Sequence, residues 1–357
     1  MTHNFEVEPR ELKPGVILAA ALDTMRLKAG ERANDDTMVL HPVAHALNLR
    51  VVAETYGKRD YPLSNEHSLL MLGMSSVDFG NAAATALIGP ALRGFEAQNE
   101  HRQFCHKLPL ENFKPHQVAI LDAGLGLKPI GEGERVQRTP LGQAAGEVVQ
   151  LTSFAAACLL TRQAVVNDDL SQLANTMEGS GSEAARLEAR LVAEALERNP
   201  TMIDGQACYL PENDLSGEVL SLASIGAALQ KLRDQTLRDG KKANNKGRYL
   251  VVGSNLESTA LTLNVSMGNP FVVVGLADLP PARWFLLASP SASPTIALGK
   301  LKGSKTPVRV ERQRMNFDLD GVELGFGADF TAAMLGRTGV VRGGTGNPEP
   351  APEPAPE

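Results

Sequence analysis

Aromatic residues are scarce in this chain, at 4% of 357 residues, so its interior must be built from Ala, Leu and Val. The 33 glycines and 22 prolines point instead to much extended, loop-connected backbone. Only three cysteines occur, Cys105, Cys158 and Cys208. An odd count, spread about fifty residues apart without local pairs, excludes a disulfide framework and a zinc staple, and fits small buried hydrophobes in a reducing compartment. No run reaches the ~18 consecutive apolar residues of a membrane helix, and the acidic opening from Glu6 to Glu11 is unlike a signal peptide. A basic excess is missing too: 35 Lys and Arg against 41 Asp and Glu argue against sequence-specific nucleic-acid binding. Nucleotide-type phosphate loops, nucleophile elbows and His-Glu-x-x-His helices are all absent from the sequence.

What chemistry-bearing residues there are form few constellations. All seven histidines, His3, His41, His45, His67, His101, His106 and His116, lie at or before position 116. His41 with His45 and His101 with His106 have the look of metal pairs, but no well-spaced Cys or Glu joins either, and solvated or core histidines are expected. The glycine pairs at Gly124 and Gly131 lack the strand-to-helix setting of a nucleotide site and read as turns. Asp168-Asp169 is a carboxylate pair without a third ligand nearby; it reads as a cap or an acceptor of backbone amides, against the alternative of acid and base work in a hydrolase. Lys241, Lys242 and Lys246 cluster in a loop that reads as a solvated face, with a partner or DNA surface as the alternative.

The element pattern is that of an α+β protein. A helix is expected over 75–92, interrupted by Gly89 and Pro90. From His116 to about Gln150 a hairpin is expected around the tip Gly131-Glu132-Gly133-Glu134, followed by a second strand pair, 147–152 with 158–161. Such a hairpin cannot bury its own face and would have to lie on something else. The clearest helix covers 183–198, with Ala184, Leu187, Leu191 and Ala195 as its apolar stripe, Val192 and Leu196 widening it, and Ser182 as N-cap. Leu191 is placed mid-stripe and expected to be buried. Further helices are expected over 221–238 and 255–265, and strands at 249–252, 271–274, 284–287, 307–310 and 322–326. The end of the chain is an acidic proline repeat that favours extended polyproline geometry and forms no core.

Thr161-Arg162-Gln163-Ala164-Val165-Val166-Asn167-Asp168-Asp169-Leu170 closely resembles a segment of tailed-bacteriophage major capsid proteins of the Mu-like and protease-fused group. Four further stretches fit in the same order: Ser76 to Phe79, Ile130 to Gln137, Pro200 to Gly205 with Pro211 to Leu215, and Tyr249 to Val252 with Asn255 to Glu257. Together they span about 75 to 343. Departures occur at Phe154 to Ala157, where the family has a Tyr-Gly turn, and at Gly253, where it has Pro. The nucleophile signature of the fused protease is missing.

The resemblance implies a Hong Kong 97 type fold. Its parts would be an N-terminal arm with leading helices over 1–115, an extended hairpin loop over 116–151, and a peripheral domain over 152–217 whose spine helix is 183–198. An axial domain would take 218–303, return strands of the peripheral domain 304–343, and a disordered acidic tail 344–357. It implies a major capsid protein, with no catalytic, cofactor or metal residues. Its partners would be its own copies in hexamers and pentamers, with scaffolding, portal and decoration proteins, non-specific contact with packaged double-stranded DNA, and no membrane. The expected location is the virion, assembled in the host bacterial cytoplasm. The alternative is a capsid-like shell of a non-viral compartment; a hydrolase using Asp168 and Asp169 ranks well below both. Some capsids of this fold are cross-linked through a loop lysine. Lys128 stands beside Pro129 and four residues from Glu132, a setting that favours the charged amine, so no cross-link is expected.

Overall fold

In a computed structural model the described residues are 22–30, 49–50, 52–53, 77–118, 146–167, 169–237, 240–304, 306–312 and 321–345. They form two compact units. The first takes its described residues from 1–99, 153–186 and 304–329; the second takes its own from 100–152, 187–303 and 330–357.

In the first unit α1 (Val77–Ala97) packs on β10 (Val308–Arg312). Pro90 sits inside α1 and does not end it, contrary to the expected break. Proline forfeits one backbone hydrogen bond, but Leu87, Ala91 and Phe95 are buried on either side of it, and that burial holds the helix together. Strand β4 (Thr152–Thr161) is one ten-residue strand paired with β11 (Gly321–Met334). The expected second pair, 147–152 with 158–161, therefore does not form. A short helix α2 (Arg162–Val166) follows β4, with Thr161 as its N-cap accepting the Ala164 amide at 3.1 Å. Through Ala328, β11 pairs antiparallel with β10.

The long helix is α3 (Leu170–Glu197), 28 residues rather than the sixteen expected. Ser182 is not its N-cap. Gly179-Ser180-Gly181-Ser182 resembles a helix break, yet the helix runs through it and tertiary contact explains the composition. A Cβ on Gly181 would lie 2.0 Å from the Ala91 carbonyl oxygen, and one on Gly94 would lie 1.9 Å from that of Glu178. Helices α1 and α3 thus touch backbone to backbone, which only glycine permits. The Ser182 hydroxyl donates to its own helix, to Glu178 O at 3.2 Å, and lies 3.3 Å from Gly94 O across the contact.

The second unit is layered. Its main sheet has the order β5 (Asp214–Ser216), β12 (Val340–Gly344), β8 (Arg283–Ala288), β6 (Gly247–Val252), β7 (Val272–Gly275). Alternate residues face opposite ways, as pleating requires. Leu250, Val252, Trp284, Leu286 and Val341 join a core with α4 (Leu222–Asp234) and α5 (Glu257–Ser266). Val251, Phe285, Leu287, Val274 and Val340 join another with Val192, Ala193 and Leu196 from the end of α3. Strand β8 is buried along its whole length, on both faces. Strand β9 (Ile296–Leu301) pairs parallel with β1 (His106–Leu110) and antiparallel with residues 330–334 of β11. The base of the expected hairpin is present as β2 (His116–Val118) paired antiparallel with β3 (Glu147–Val149); its tip lies outside the described residues.

Helix α4 ends at Asp234, four residues short of expectation. Gln235 leaves helical geometry so that its side chain can donate to Val340 O at 2.9 Å and accept from the Gly339 amide at 2.7 Å. Leu191 is only half-buried, and the buried positions of α3 in this unit are Glu188, Val192, Ala193 and Leu196. The stripe is rotated by one position from the one expected. Strands β1, β9 and β12 were not expected: Pro109 and Gly299 disguise the first two, and β12 ends in Gly343-Gly344.

The glycine contact predicts opposite signs at two nearby positions. Gly181→Ala should cost about 1–3 kcal/mol through enforced separation. Gly179→Ala, with open space around its Cβ position, should gain ~1 kcal/mol of helix propensity. Chemical denaturation of both variants checks this.

Candidate functional site

The residues singled out in the sequence scatter. His3, His41, His45 and His67 lie outside the described residues, as does Asp168. Asp169 occupies the turn between α2 and α3, its amide donating to Ala164 O at 2.8 Å and its carbonyl accepting the Gln172 amide at 3.2 Å. Among the described residues no group of three or more His, Cys, Asp or Glu is placed to hold a metal, and no helix is long and apolar enough to cross a membrane. Lys241, Lys242 and Lys246 are exposed, and Lys242 pairs with Asp234. Lys128 and the Gly-Glu tip lie outside the described residues.

His101 and His106 do not form a pair. His106 is half-buried on β1, whereas His101 is buried against a residue that no motif signalled, Glu188 of α3. The Glu188 carboxylate is fully buried, with Arg102 donating to Oε2 at 2.6 and 2.8 Å, Lys300 Nζ at 2.9 Å from Oε1, and His101 Nε2 at 3.3 Å from Oε2. Burial works to raise its pKa, but His101, Lys300 and Arg102 outweigh that and hold it below the ordinary carboxylate range. A lone buried carboxylate would neutralise itself; this one stays charged because three groups from β9 and the short helical turn Glu100–Gln103 converge on it. The signal was there to read. Position 188 lies four residues from both Ala184 and Val192, so it is a charge on an apolar stripe, and such a charge needs partners.

Three arginines staple the ends of the main sheet. Buried Arg283 forks onto Glu197 at 2.8 Å from both Nε and Nη2, and its Nη1 donates to Gly344 O at 2.8 Å. Arg342 reaches Asp214 Oδ2 at 2.5 Å and lies 4.2 Å over the Tyr209 ring, whose hydroxyl donates to Leu196 O at 2.6 Å. Burial works to raise the Asp214 pKa, but bonds from Arg342 and Ser216 hold it below the usual range. Arg337 forks onto Asp204 at 2.6 and 2.8 Å. The thiols are not poised for chemistry, since burial pushes Cys208 up to about 12 and Cys105 higher still.

One surface feature suits contact with another molecule. A groove of about 570 Å³ runs between the end of α3 and the hairpin base, lined by Leu191, Ala195 and Met202 with Val148 and Ile203 at its edge. Val148 is 55% and Ile203 46% exposed, and the Ile203 amide donates to Glu147 of the hairpin at 2.9 Å. Leu191 is half-buried because it faces this groove.

Glu188→Gln leaves Arg102 and Lys300 without their counter-charge and should cost about 3–5 kcal/mol. Because the folded pKa is depressed, the stability from Glu188 is fully present above the unfolded value of ~4.3 and is lost as pH falls through the folded value. The wild-type melting temperature should therefore fall more steeply with acid than that of the variant; parallel acid limbs would contradict this.

The family model of phage capsid proteins matches residues 145–343, which takes in β3 and everything from β4 to β12. Comparison with curated proteins gives no match. Solved structures similar to the chain include a phage-related protein from Bordetella bronchiseptica RB50, with 11% identity, 74% of this chain and 97% of that one covered, and a TM-score of 0.49. The satellite phage P4 procapsid including its size determination protein has 8% identity, coverages of 73% and 90%, and a TM-score of 0.46. An encapsulin complex from Synechococcus elongatus PCC 7942 has 7% identity, coverages of 68% and 85%, and a TM-score of 0.46. At these scores no assignment rests on the likenesses. The matched span is more than half of the chain and contains the whole of α3 and the main sheet as far as Gly343, and on that ground the chain belongs to the phage capsid protein family.

Proposed function

We propose that this protein is the major capsid protein of a tailed bacteriophage, assembling as hexamers and pentamers into an icosahedral head around double-stranded DNA. The carrying observation is the family match over 145–343. Membership of that family indicates a structural, non-enzymatic shell protein of the virion; tailed-phage identity, DNA enclosure and assembly in the host cytoplasm are the proposal. In Hong Kong 97 terms, the arm is 1–115, the extended loop 116–151, the peripheral domain 152–217 with 304–343, and the axial domain 218–303.

The physical case lies in what one subunit leaves unfinished. The hairpin base has three residues in each strand; one face is buried within the subunit, Val149 packing with Leu110, Leu151, Ala297 and Leu335, while the other face is left open. Val148 stays exposed on it, beside a groove that mixes Leu191, Ala195 and Met202 with Glu147, Glu194 and Arg198. Those surfaces gain burial when copies associate, so the closed shell is held by many modest contacts and its stability depends on concentration. Lys128 does not cross-link in this account, and mature particles should run as one band near the monomer mass on a denaturing gel.

Deleting 127–134 should leave a folded subunit or capsomer that fails to close shells, as read by circular dichroism and native mass spectrometry. Loss of secondary structure in the deletion would contradict the proposed role of the hairpin. Nuclease-protected genomic DNA inside particles from an infected culture supports the phage reading, and protein cargo in their place would assign the shell to a compartment.

A further inference from the structure

Three Asp-Gly pairs occur in the chain, Asp204-Gly205, Asp239-Gly240 and Asp320-Gly321. Asp239 and Asp320 lie outside the described residues, whereas the first pair forms the tip of a tight loop whose ends, Thr201 and Ala207, are joined by an antiparallel bridge. Aspartate before glycine is the sequence most open to one spontaneous reaction of the backbone. The glycine amide nitrogen attacks the aspartate Cγ, a carboxyl oxygen leaves as water with the acid proton and the amide proton, and a cyclic imide remains. Water then adds to either imide carbonyl. One opening restores aspartate; the other gives isoaspartate, in which the chain runs through the side-chain carbon at unchanged mass. The reaction needs a protonated carboxyl, so that water can leave, and one that is free to turn toward the backbone.

The loop is open to this chemistry in its surroundings and closed to it in its bonding. Gly205 is exposed at φ +78°, with nothing within 4 Å of where a Cβ would stand, and the Asp204 side chain is 49% exposed. Yet both carboxylate oxygens are engaged. Arg337 donates from Nη1 to Oδ2 at 2.6 Å and from Nη2 to Oδ1 at 2.8 Å, and the Gln206 amide donates to Oδ1 at 3.1 Å. Arg337 is fixed in turn, its Nη2 lying 3.4 Å from Gln206 O and its carbonyl accepting from Asn213 Nδ2 at 3.3 Å. Such a fork restrains rotation of the carboxylate and stabilises its charged form. Bonding to Arg337 accordingly holds the Asp204 carboxyl below the ordinary carboxylate range. The Gly205 amide is occupied as well, donating to Met202 O at 2.8 Å.

We propose that Asp204-Gly205 is a modification site gated by Arg337. With the fork in place the pair keeps its aspartate; once the fork is lost, by substitution or by protonation of the carboxyl, isoaspartate forms. The consequence falls on a surface already described. Isoaspartate adds one carbon to the backbone next to Ile203, whose amide donates to Glu147 of the hairpin base and whose side chain stands at the edge of the groove. Modification of this one pair therefore respaces the loop that frames the groove.

Long incubation of the purified full chain at neutral pH tests this, each Asp-Gly pair being read by peptide mapping with an endoproteinase that cuts before aspartate but not before isoaspartate. At Asp204 the folded wild type should keep its aspartate while the same chain in urea isomerises. Arg337→Gln should isomerise at Asp204 several-fold faster than wild type, and Arg337→Lys, which keeps a charged donor without the fork, at a rate between them. The rates at Asp239 and Asp320 should not change in either variant. Because the fork depresses the carboxyl pKa, the wild-type rate at Asp204 should begin to rise at a lower pH than the rate in Arg337→Gln, a difference that a purely structural role for the arginine would not produce. Equal rates at Asp204 in the folded wild type and in urea would overturn the proposal without recourse to any variant. So would equal rates in wild type and Arg337→Gln, or an increase shared by Asp239 and Asp320, which would mark general unfolding as the cause.

Discussion

Helix α3 must stay continuous for 28 residues while packing against different elements along its length, and its sequence departs from an apolar stripe wherever those contacts demand it. Near its middle the demand is for no side chain at all, and Gly181 meets Gly94 and Ala91 with backbone against backbone. Seven residues later the demand is for a charge, and Glu188 takes Arg102, Lys300 and His101 around one buried carboxylate. Each departure from an apolar stripe fixes the helix in rotation and in register. Sliding α3 by one residue would drive a Cβ into a carbonyl and leave a carboxylate facing hydrocarbon.

Charge plays a similar part at the sheet ends. Arg283, Arg342 and Arg337 each fork onto a carboxylate and tie α3, the segment after it and β12 into one set of contacts. A buried ion pair is weak evidence for net stability, because removing its charges from water costs much of what the pairing returns. Its geometric demands are strict, however. For a subunit that must present the same surfaces to every neighbour in a shell, such demands are a physical reason to retain charges where aliphatic side chains would pack as well. On the outer surface, Val148 and Ile203 are exposed and Leu191 is half-buried beside a groove of mixed lining, with Glu147, Glu194 and Arg198 among its walls.

Much of the sheet was legible in the sequence. The runs around 249–252, 272–274 and 284–287 are apolar enough to be strands in any setting, and they are strands here. The family was legible in the segment from Thr161 to Leu170, whose Thr161 turns out to be a helix cap. What could not be read were features set by tertiary contact. Gly179 to Ser182 looks like a break until α1 lies against it, Pro90 looks like a stop until its neighbours are buried, and Gln235 ends a helix by reaching for β12. Glu188 was visible as a charge on an apolar stripe, but its partners lie 86 and more residues away in the chain, and no local pattern pairs them. The carboxylates at 168 and 169 drew attention by adjacency; Asp169 lies in the turn between α2 and α3, and Asp168 is outside the described residues.

The central claim is that this subunit is incomplete alone and finishes its fold by closing into a shell. Cryo-electron microscopy of the purified full chain tests it most directly. The account predicts closed particles of icosahedral symmetry, built from hexamers and pentamers, in which density from a neighbouring copy covers Val148 and the groove beside Leu191. A population of monomers that persists at high concentration, or shells in which that groove faces open solvent, would contradict it.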